Sequence, residues 1–346
     1  MNVIVLAGGL SSERNVSLST GAKVCQALTS LGHKAALVDL FLGLEDYPLP
    51  YGQIFDAPPP LPPTGIGSDE PDLAAVRASR RDQSARVFGP GVLEVCQLAD
   101  VVFLGLHGAC GEDGRVQAAF DLLGIPYTGS GYLGSAIAMD KDFTKRLARA
   151  GGVLTPDWQY VQVTGGTLDG LAADLPLPSV VKVPTGGSSI GVTICHDRDT
   201  LKKALSGGLG QRLLVEDYIE GREFSCGVLD GQALPPIEII PKEGFYDYQN
   251  KYQPGATTEV CPADISPDAA RAMEDAALRV HGLLGLGSYS RSDFRMTGTG
   301  DIYFLEVNTL PGMTPTSLIP QEAQAVGITY VQLCQKLLEL ATFERG

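Results

Sequence analysis

The first forty residues alternate element types, and this alternation restricts the fold more than any other feature of the chain. Residues 3–7 are apolar and read as a buried strand; Val24, Ala27, Leu28 and Leu31 then mark one helix face that Gly32 ends, and residues 35–40 are a second apolar run. Strand, helix and strand in this order make a parallel βαβ unit, because parallel neighbours need a crossover connection. Residues 101–106 add another buried strand, so an open parallel sheet is expected, with ligands gathered outside its strand ends. The loop HGACGEDG, residues 107–114, falls at such an end. AGGLSSE, residues 7–13, falls at another but lacks the third glycine of a dinucleotide fingerprint, so a nicotinamide-dependent dehydrogenase is the weakest reading of this unit.

Composition excludes several classes. The 346 residues are 44% hydrophobic and 19% charged, enough for a globular protein of two or three domains. A net charge of -14 opposes the attraction to phosphate that dominates nucleic-acid affinity, so no nucleic-acid partner is expected and any anion must meet a local cluster of cations. The seven cysteines are scattered and form no CxxC pair, which fits reduced core thiols better than a disulfide framework or a zinc site. No apolar run reaches membrane-spanning length, and the start lacks a signal peptide's charged region and cleavage site; the expectation is a cytoplasmic protein with no membrane partner. Residues 57–91 carry a proline cluster and then Arg77, Arg80, Arg81 and Arg86, and read as a surface excursion with solvated charges.

From about residue 130 the pattern changes. Residues 136–150 read as one helix carrying Lys141. Residues 180–183, the loop TGGSSIG and residues 192–195 read as a glycine-rich hairpin. Strands follow at 212–216 and 236–240, a helix with proline in its first turn at 267–284, a hairpin of 289–296 and 301–307 around TGTG, and a last helix near 330–340. There is no internal repeat.

In the TGTG hairpin Arg291 and Asp293 share one face of their strand, as do Glu306 and Asn308 of theirs, because strand side chains alternate. If the two faces coincide, two carboxylates, an amide oxygen and a guanidinium converge. Such oxygen ligands suit Mg²⁺ with substrate phosphates; the plainer alternative is a salt bridge between Arg291 and a carboxylate. The glycine hairpin could turn backbone N–H groups and hydroxyls toward an anion, with Lys182 adding charge, although glycines are also what a simple turn uses. It is not a Walker A loop, in which the lysine follows the glycines and opens a helix. Glu216, Ile219 and Glu223 lie where a purine and ribose could be met, or are merely connecting residues. His107 with Cys110 invites a nucleophile reading that no local signature supports, and His33, His196 and His281 show no partner.

Taken together, GGLSSERNVSLSTG, LHGACGEDGRVQ, GIPYTGSGYLGSAIAMDK, VVKVPTGGSSIGV, LVEDYIEGREFS, FYDYQNKY and SRSDF with LEVNTLPGMTPTSL resemble the ATP-grasp enzymes, and in detail the D-alanine:D-alanine ligases. The resemblance implies an α/β, three-domain ATP-grasp architecture with an N-terminal Rossmann-like (preATP-grasp) parallel-sheet domain at 1–129. A central subdomain with the glycine flap would span 130–216, and a C-terminal subdomain with lid and metal site 217–346. It also implies ATP-dependent joining of two D-alanines through an acyl phosphate, for peptidoglycan synthesis. Lys141 and Lys182 are similar to the family's phosphate-contacting lysines, Glu216 and Ile219 to those bordering adenine, and Glu223 to the ribose carboxylate. Asp293, Glu306 and Asn308 resemble the ligands of two magnesium ions, for which manganese can substitute. Arg291 and the N–H of Gly312 match the oxyanion-stabilising groups. Glu13 matches the carboxylate holding the first amino group, His107 sits near that subsite, and Ser317 and Leu318 match those receiving the second carboxylate. Lys251 and Tyr252 belong to a lid at about 241–262 that closes over the nucleotide, and Tyr252, Ser188 and Glu13 would form the triad that tethers it.

Two departures stand out: Val183 replaces the usual proline after Lys182, and the 57–91 stretch exceeds that of compact relatives. The family's homodimers imply a homodimer here. Ligases forming D-alanyl-D-lactate or D-alanyl-D-serine are the near alternatives, and a non-catalytic nucleotide-binding regulator is the alternative of another class.

Overall fold

The structure, a computed structural model, describes residues 1–64, 71–187, 191–242 and 255–343. Its first sheet is parallel, with β1 (Asn2–Ala7) between β2 (Lys34–Asp39) and β3 (Val101–Leu104). Val3 to Ala7 have no exposed surface, as expected of a strand covered on both faces. Helix Arg14–Ser30 makes the crossover and buries Val24, Ala27 and Leu28.

A second, antiparallel sheet holds β4 (Trp158–Gln162), β5 (Ser179–Lys182), β6 (Thr193–Cys195) and β7 (Arg212–Asp217) in the order β4-β7-β5-β6. The glycine hairpin joins β5 to β6. The third sheet holds β8 (Arg222–Leu229), β9 (Gln232–Ala233), β10 (Ile237–Pro241), β11 (Thr257–Val260), β12 (Tyr289–Met296) and β13 (Ile302–Asn308). Its order is β11-β10-β8-β12-β13, with β9 beside β8. One face of this sheet is apolar: Phe224, Phe294 and Phe304 pack under Met273, Ala277 and Val280 of helix Pro267–Leu283. Ser266 caps that helix by accepting from Ala269 N, and Pro267 occupies its first turn. The opposite face carries Glu223, Ser225, Arg291, Asp293, Arg295, Glu306 and Asn308, paired across the ladder.

The chain's last helix, Tyr330–Phe343, returns to the first sheet. Leu333, Cys334, Leu337 and Leu338 share one core with β1 and helix Arg14–Ser30, so the N-terminal core is closed by C-terminal residues.

Several expectations are corrected. The helix expected over 136–150 is two, Tyr132–Met139 and Lys141–Ala150, because the Asp140 carboxylate accepts from Asp142 N and Phe143 N and starts a new helix there. Apolar periodicity runs across the break, so it could not reveal the cap. Arg80 is not solvated: it is 1% exposed, lies 4.0 Å over the Phe41 ring, and donates to the carbonyls of Phe41, Asp82, Ser84 and Arg86. Arg77, Arg81 and Arg86 are exposed. Five cysteines are buried, but Cys110 and Cys261 only partly so. Each histidine without a visible partner has one in the fold: His33 bonds Gln335, His196 packs edge-on to Tyr218, and His281 bonds Ser290.

Candidate active site

The second and third sheets face each other across a cleft lined by Lys141, Lys182, Glu216, Glu223, Asp293 and Glu306. Across β12 and β13, Arg291 pairs with Asn308 and Asp293 with Glu306, and of these Asp293 and Glu306 line the floor of the cleft. The register then slips, leaving Leu305 as an extra residue, so Leu305 and Glu306 both line the cleft while Phe304 stays in the core. Arg291 Nε and Nη2 each donate to Asp293 at 2.9 Å, Asn308 Nδ2 donates at 3.0 Å, and Ser225 at 2.5 Å. These four bonds fill the four lone-pair positions of the carboxylate. The Arg291 salt bridge and the convergence of polar groups are therefore both present. Lys141 Nζ lies 3.2 Å from Glu306 and donates to Gly186 O at 2.8 Å, joining the floor to the glycine hairpin.

At the far end of the cleft Glu216 is buried between two ammonium groups, Lys182 at 2.5 Å and Lys145 at 2.9 Å. Burial alone would raise its pKa, but the two lysines outweigh that and hold it below the ordinary range. Val180, Ile194, Ile219 and Leu305 supply apolar walls. Glu223, the ribose candidate, is held by Arg295 at 3.0 Å. Among the described residues no three His, Cys, Asp or Glu side chains gather as a metal site, so the candidate set is Asp293 and Glu306 completed by the Asn308 amide. Its donors are all oxygens, which fits a hard cation such as Mg²⁺.

A third side of the site is built by the first sheet's loops. Glu13 heads helix Arg14–Ser30 and is buried. Arg14 fixes the loop before it by bonding Gly9 O and Asp39, and Gly8 has φ +74° with no room for a side chain, since a Cβ would sit 2.5 Å from Asp39 Oδ2. A Cβ on Gly187 would sit 2.5 Å from Glu13 Oε2, so Gly187 of the glycine hairpin lies directly on this carboxylate.

His107 Nδ1 faces Leu310 O at 2.9 Å and Nε2 faces Thr20 Oγ1 at 3.0 Å. A carbonyl only accepts, so Nδ1 carries the proton, and burial, opposed by Glu13, lowers the ring's pKa. His107 is a neutral strut between Thr20 and Leu310. Cys110 is no nucleophile either, because burial and then Asp113 push its thiol up. Gly312 and Ser317 adjoin, and Leu318 opens helix Leu318–Ala325 against Ile237 and Ile239. Ser188, Lys251 and Tyr252 lie outside the described residues.

Three functional candidates escaped the sequence reading. Lys145 and Arg295 bind the carboxylates of Glu216 and Glu223; only their strand and helix periodicity could have placed them there. Glu112 accepts from the N–H groups of Gly108, Thr309 and Leu310, pinning the HGACGEDG loop to the end of β13. Its position inside a glycine loop was a visible signal. Burial and then Glu13 raise its pKa.

Such a fold, with a flap, two opposed sheets and a carboxylate-bearing floor, defines an ATP-grasp enzyme. Residues 2–130 match the family D-ala D-ala ligase N-terminus, and residues 147–339 match D-ala D-ala ligase C-terminus. The D-alanine--D-alanine ligase of Pediococcus pentosaceus is 44% identical over 98% of this chain and 97% of its own, and that of Lacticaseibacillus casei 40% over 98% and 95%. Among solved structures, the Bacillus anthracis D-alanine--D-alanine ligase complexed with ATP superposes with a TM-score of 0.73 at 29% identity, covering 100% of this chain and 98% of that one. The VanG D-Ala:D-Ser ligase of Enterococcus faecalis gives 0.73 at 28%, covering 99% and 100%. The chain belongs to the D-alanine--D-alanine ligase family.

Proposed function

We propose that the chain joins two D-alanine molecules into D-alanyl-D-alanine, a peptidoglycan precursor, at the expense of ATP. A carboxylate oxygen of the first D-alanine attacks the γ-phosphorus, ADP leaves, and an acyl phosphate forms. The amine of the second, having lost a proton, attacks the acyl carbon, and phosphate leaves. The observation that carries this reading is Lys141, whose ammonium touches both the glycine hairpin and Glu306 and so marks where a γ-phosphate would meet hairpin, floor and substrate end together.

The base would lie between Ile219 and Glu216, with Lys182 beside it and Glu223 on the ribose. Lys251, Tyr252 and Ser188 would belong to the lid and flap that exclude water from the acyl phosphate. Asp293, Glu306 and Asn308 would hold magnesium, which neutralises charge on the transferring phosphoryl group. Arg291, which donates to Asp293 through Nε and Nη2, would with Gly312 N–H face the oxyanion of the tetrahedral intermediate. Glu13 would hold the first ammonium and Ser317 with Leu318 N–H the second carboxylate. The division at 129 and 216, a cytoplasmic location and a homodimer complete the proposal. No helix among the described residues is long and apolar enough to cross a membrane.

The experiment is isotopic. With D-alanine labelled with ¹⁸O in its carboxylate, the released phosphate should carry one labelled oxygen per dipeptide formed. Unlabelled phosphate would rule out the acyl phosphate.

A further inference from the structure

Lys145 is one helical turn beyond Lys141, but unlike Lys141 it does not line the cleft. Its side chain has no exposed surface. The ammonium lies 2.9 Å from Glu216 Oε2, 5.1 Å over the Trp158 ring, and donates to Thr155 Oγ1 at 2.7 Å. Thr155 in turn donates to Phe304 O at 2.9 Å, two residues before Glu306 on β13. Trp158 pairs with Glu216 across β4 and β7, and its indole N–H bonds Asp142. One buried cation thus ties the base end of the cleft to the strand that carries the candidate metal ligands.

The charge count is the consequence. Lys182 and Glu216 line the cleft; Lys145 does not. A Lys182–Glu216 pair alone would be neutral, and any nucleotide acceptor would compete with the carboxylate for the Lys182 protons. With Lys145 occupying Oε2, the trio carries one net positive charge, and Lys182 needs to give only one of its three N–H bonds to Oε1. We infer that Lys145 is a positioning residue for nucleotide binding: it holds Glu216 from behind so that Lys182 keeps N–H bonds free for an acceptor atom in the cleft. This inference rests on the cleft taking ATP.

Burial, outweighing the attraction of Glu216, lowers the pKa of Lys145 to about 8. The other charged groups around it are Lys182 on β5, Arg149 on its own helix and Asp217 at the end of β7. Below about pH 8 the ammonium is intact and affinity is full; above it the proton leaves, Glu216 turns to Lys182 alone, and affinity falls.

The chain has a single tryptophan, so fluorescence of Trp158 reports this site directly. MgATP is titrated against the full chain between pH 7 and 9.5, for the wild type and for Lys145→Met, with KM for ATP and kcat measured alongside. The wild type should lose about tenfold in affinity over this range. Lys145→Met should bind about tenfold more weakly at pH 7, show no such alkaline fall, and raise KM for ATP more than it lowers kcat. Should the variant not fold, the wild-type profile still decides the matter. A wild-type affinity flat across the range, or a folded variant equal to wild type at pH 7, overturns the inference. A wild type that binds no MgATP at pH 7 overturns instead the nucleotide reading beneath it.

Discussion

Arg291 is given two partners, Asp293 in the structure and an oxyanion in the proposed reaction, and its five N–H groups suffice for both. Arg291→Ala should keep ATP binding and lose about a hundredfold or more in kcat, the usual loss when one oxyanion donor is removed. Binding assays beside turnover check this, and full activity would remove the assignment. Glu322 is a different case. It is fully buried with its carboxylate against the Gly227 backbone, and burial, only partly opposed by Arg291 and the Gly227 N–H, pushes its pKa well above the ordinary value. The sign follows from linkage. A carboxyl whose folded pKa exceeds the unfolded one favours folding most below the unfolded pKa, and this contribution is lost as pH rises through and beyond it. Glu322→Gln should therefore raise Tm by about 2 °C or more at pH 8 and by less at pH 5, as calorimetry at the two values would show.

Among the elements, the glycine hairpin is the most exposed to small changes. Gly187→Ala would press a methyl group against the Glu13 carboxylate, a side-chain tip that can move, so the fold should survive while first-substrate binding suffers. KM for D-alanine should rise about tenfold with Tm little altered, in keeping with the cost of a misplaced positioning group. Asp140→Ala removes the cap that starts helix Lys141–Ala150 and should cost about 1 kcal/mol, read by denaturant unfolding, with a rise in KM for ATP as Lys141 drifts. The elements also show what was legible in the sequence. Strand alternation put Arg291 with Asp293 and Glu306 with Asn308, and glycines marked both hairpin and loop. The cap at Asp140 was missed because helical periodicity continues across it, Lys145 and Glu112 because key partners lie on elements remote in sequence, and Arg80 because the carbonyls of the irregular loop just after it close around its guanidinium, which periodicity does not show. Glu112 meets Thr309 and Leu310 some two hundred positions away, a distance over which periodicity carries no information.

At the scale of the whole molecule, the N-terminal core is closed by the last helix. Removing residues from 330 onward should expose that core and abolish cooperative unfolding of the N-terminal unit, while point changes in the 57–91 excursion should leave turnover alone. Arg80→Leu tests the latter. It strips the carbonyls of Phe41, Asp82, Ser84 and Arg86 of their donor and should lower Tm by several degrees at unchanged kcat.

The central claim is that flap, floor and first-sheet loops meet so that a nucleotide activates the carboxyl group of a D-amino acid. Amino-acid-dependent ADP release, with D-alanine against L-alanine and with D-serine or D-lactate as alternative acceptors, tests it most directly. The account predicts ADP release with D-alanine, one D-alanyl-D-alanine per ADP, and little release with L-alanine. ADP release that ignores D-alanine, or none at all, would contradict it.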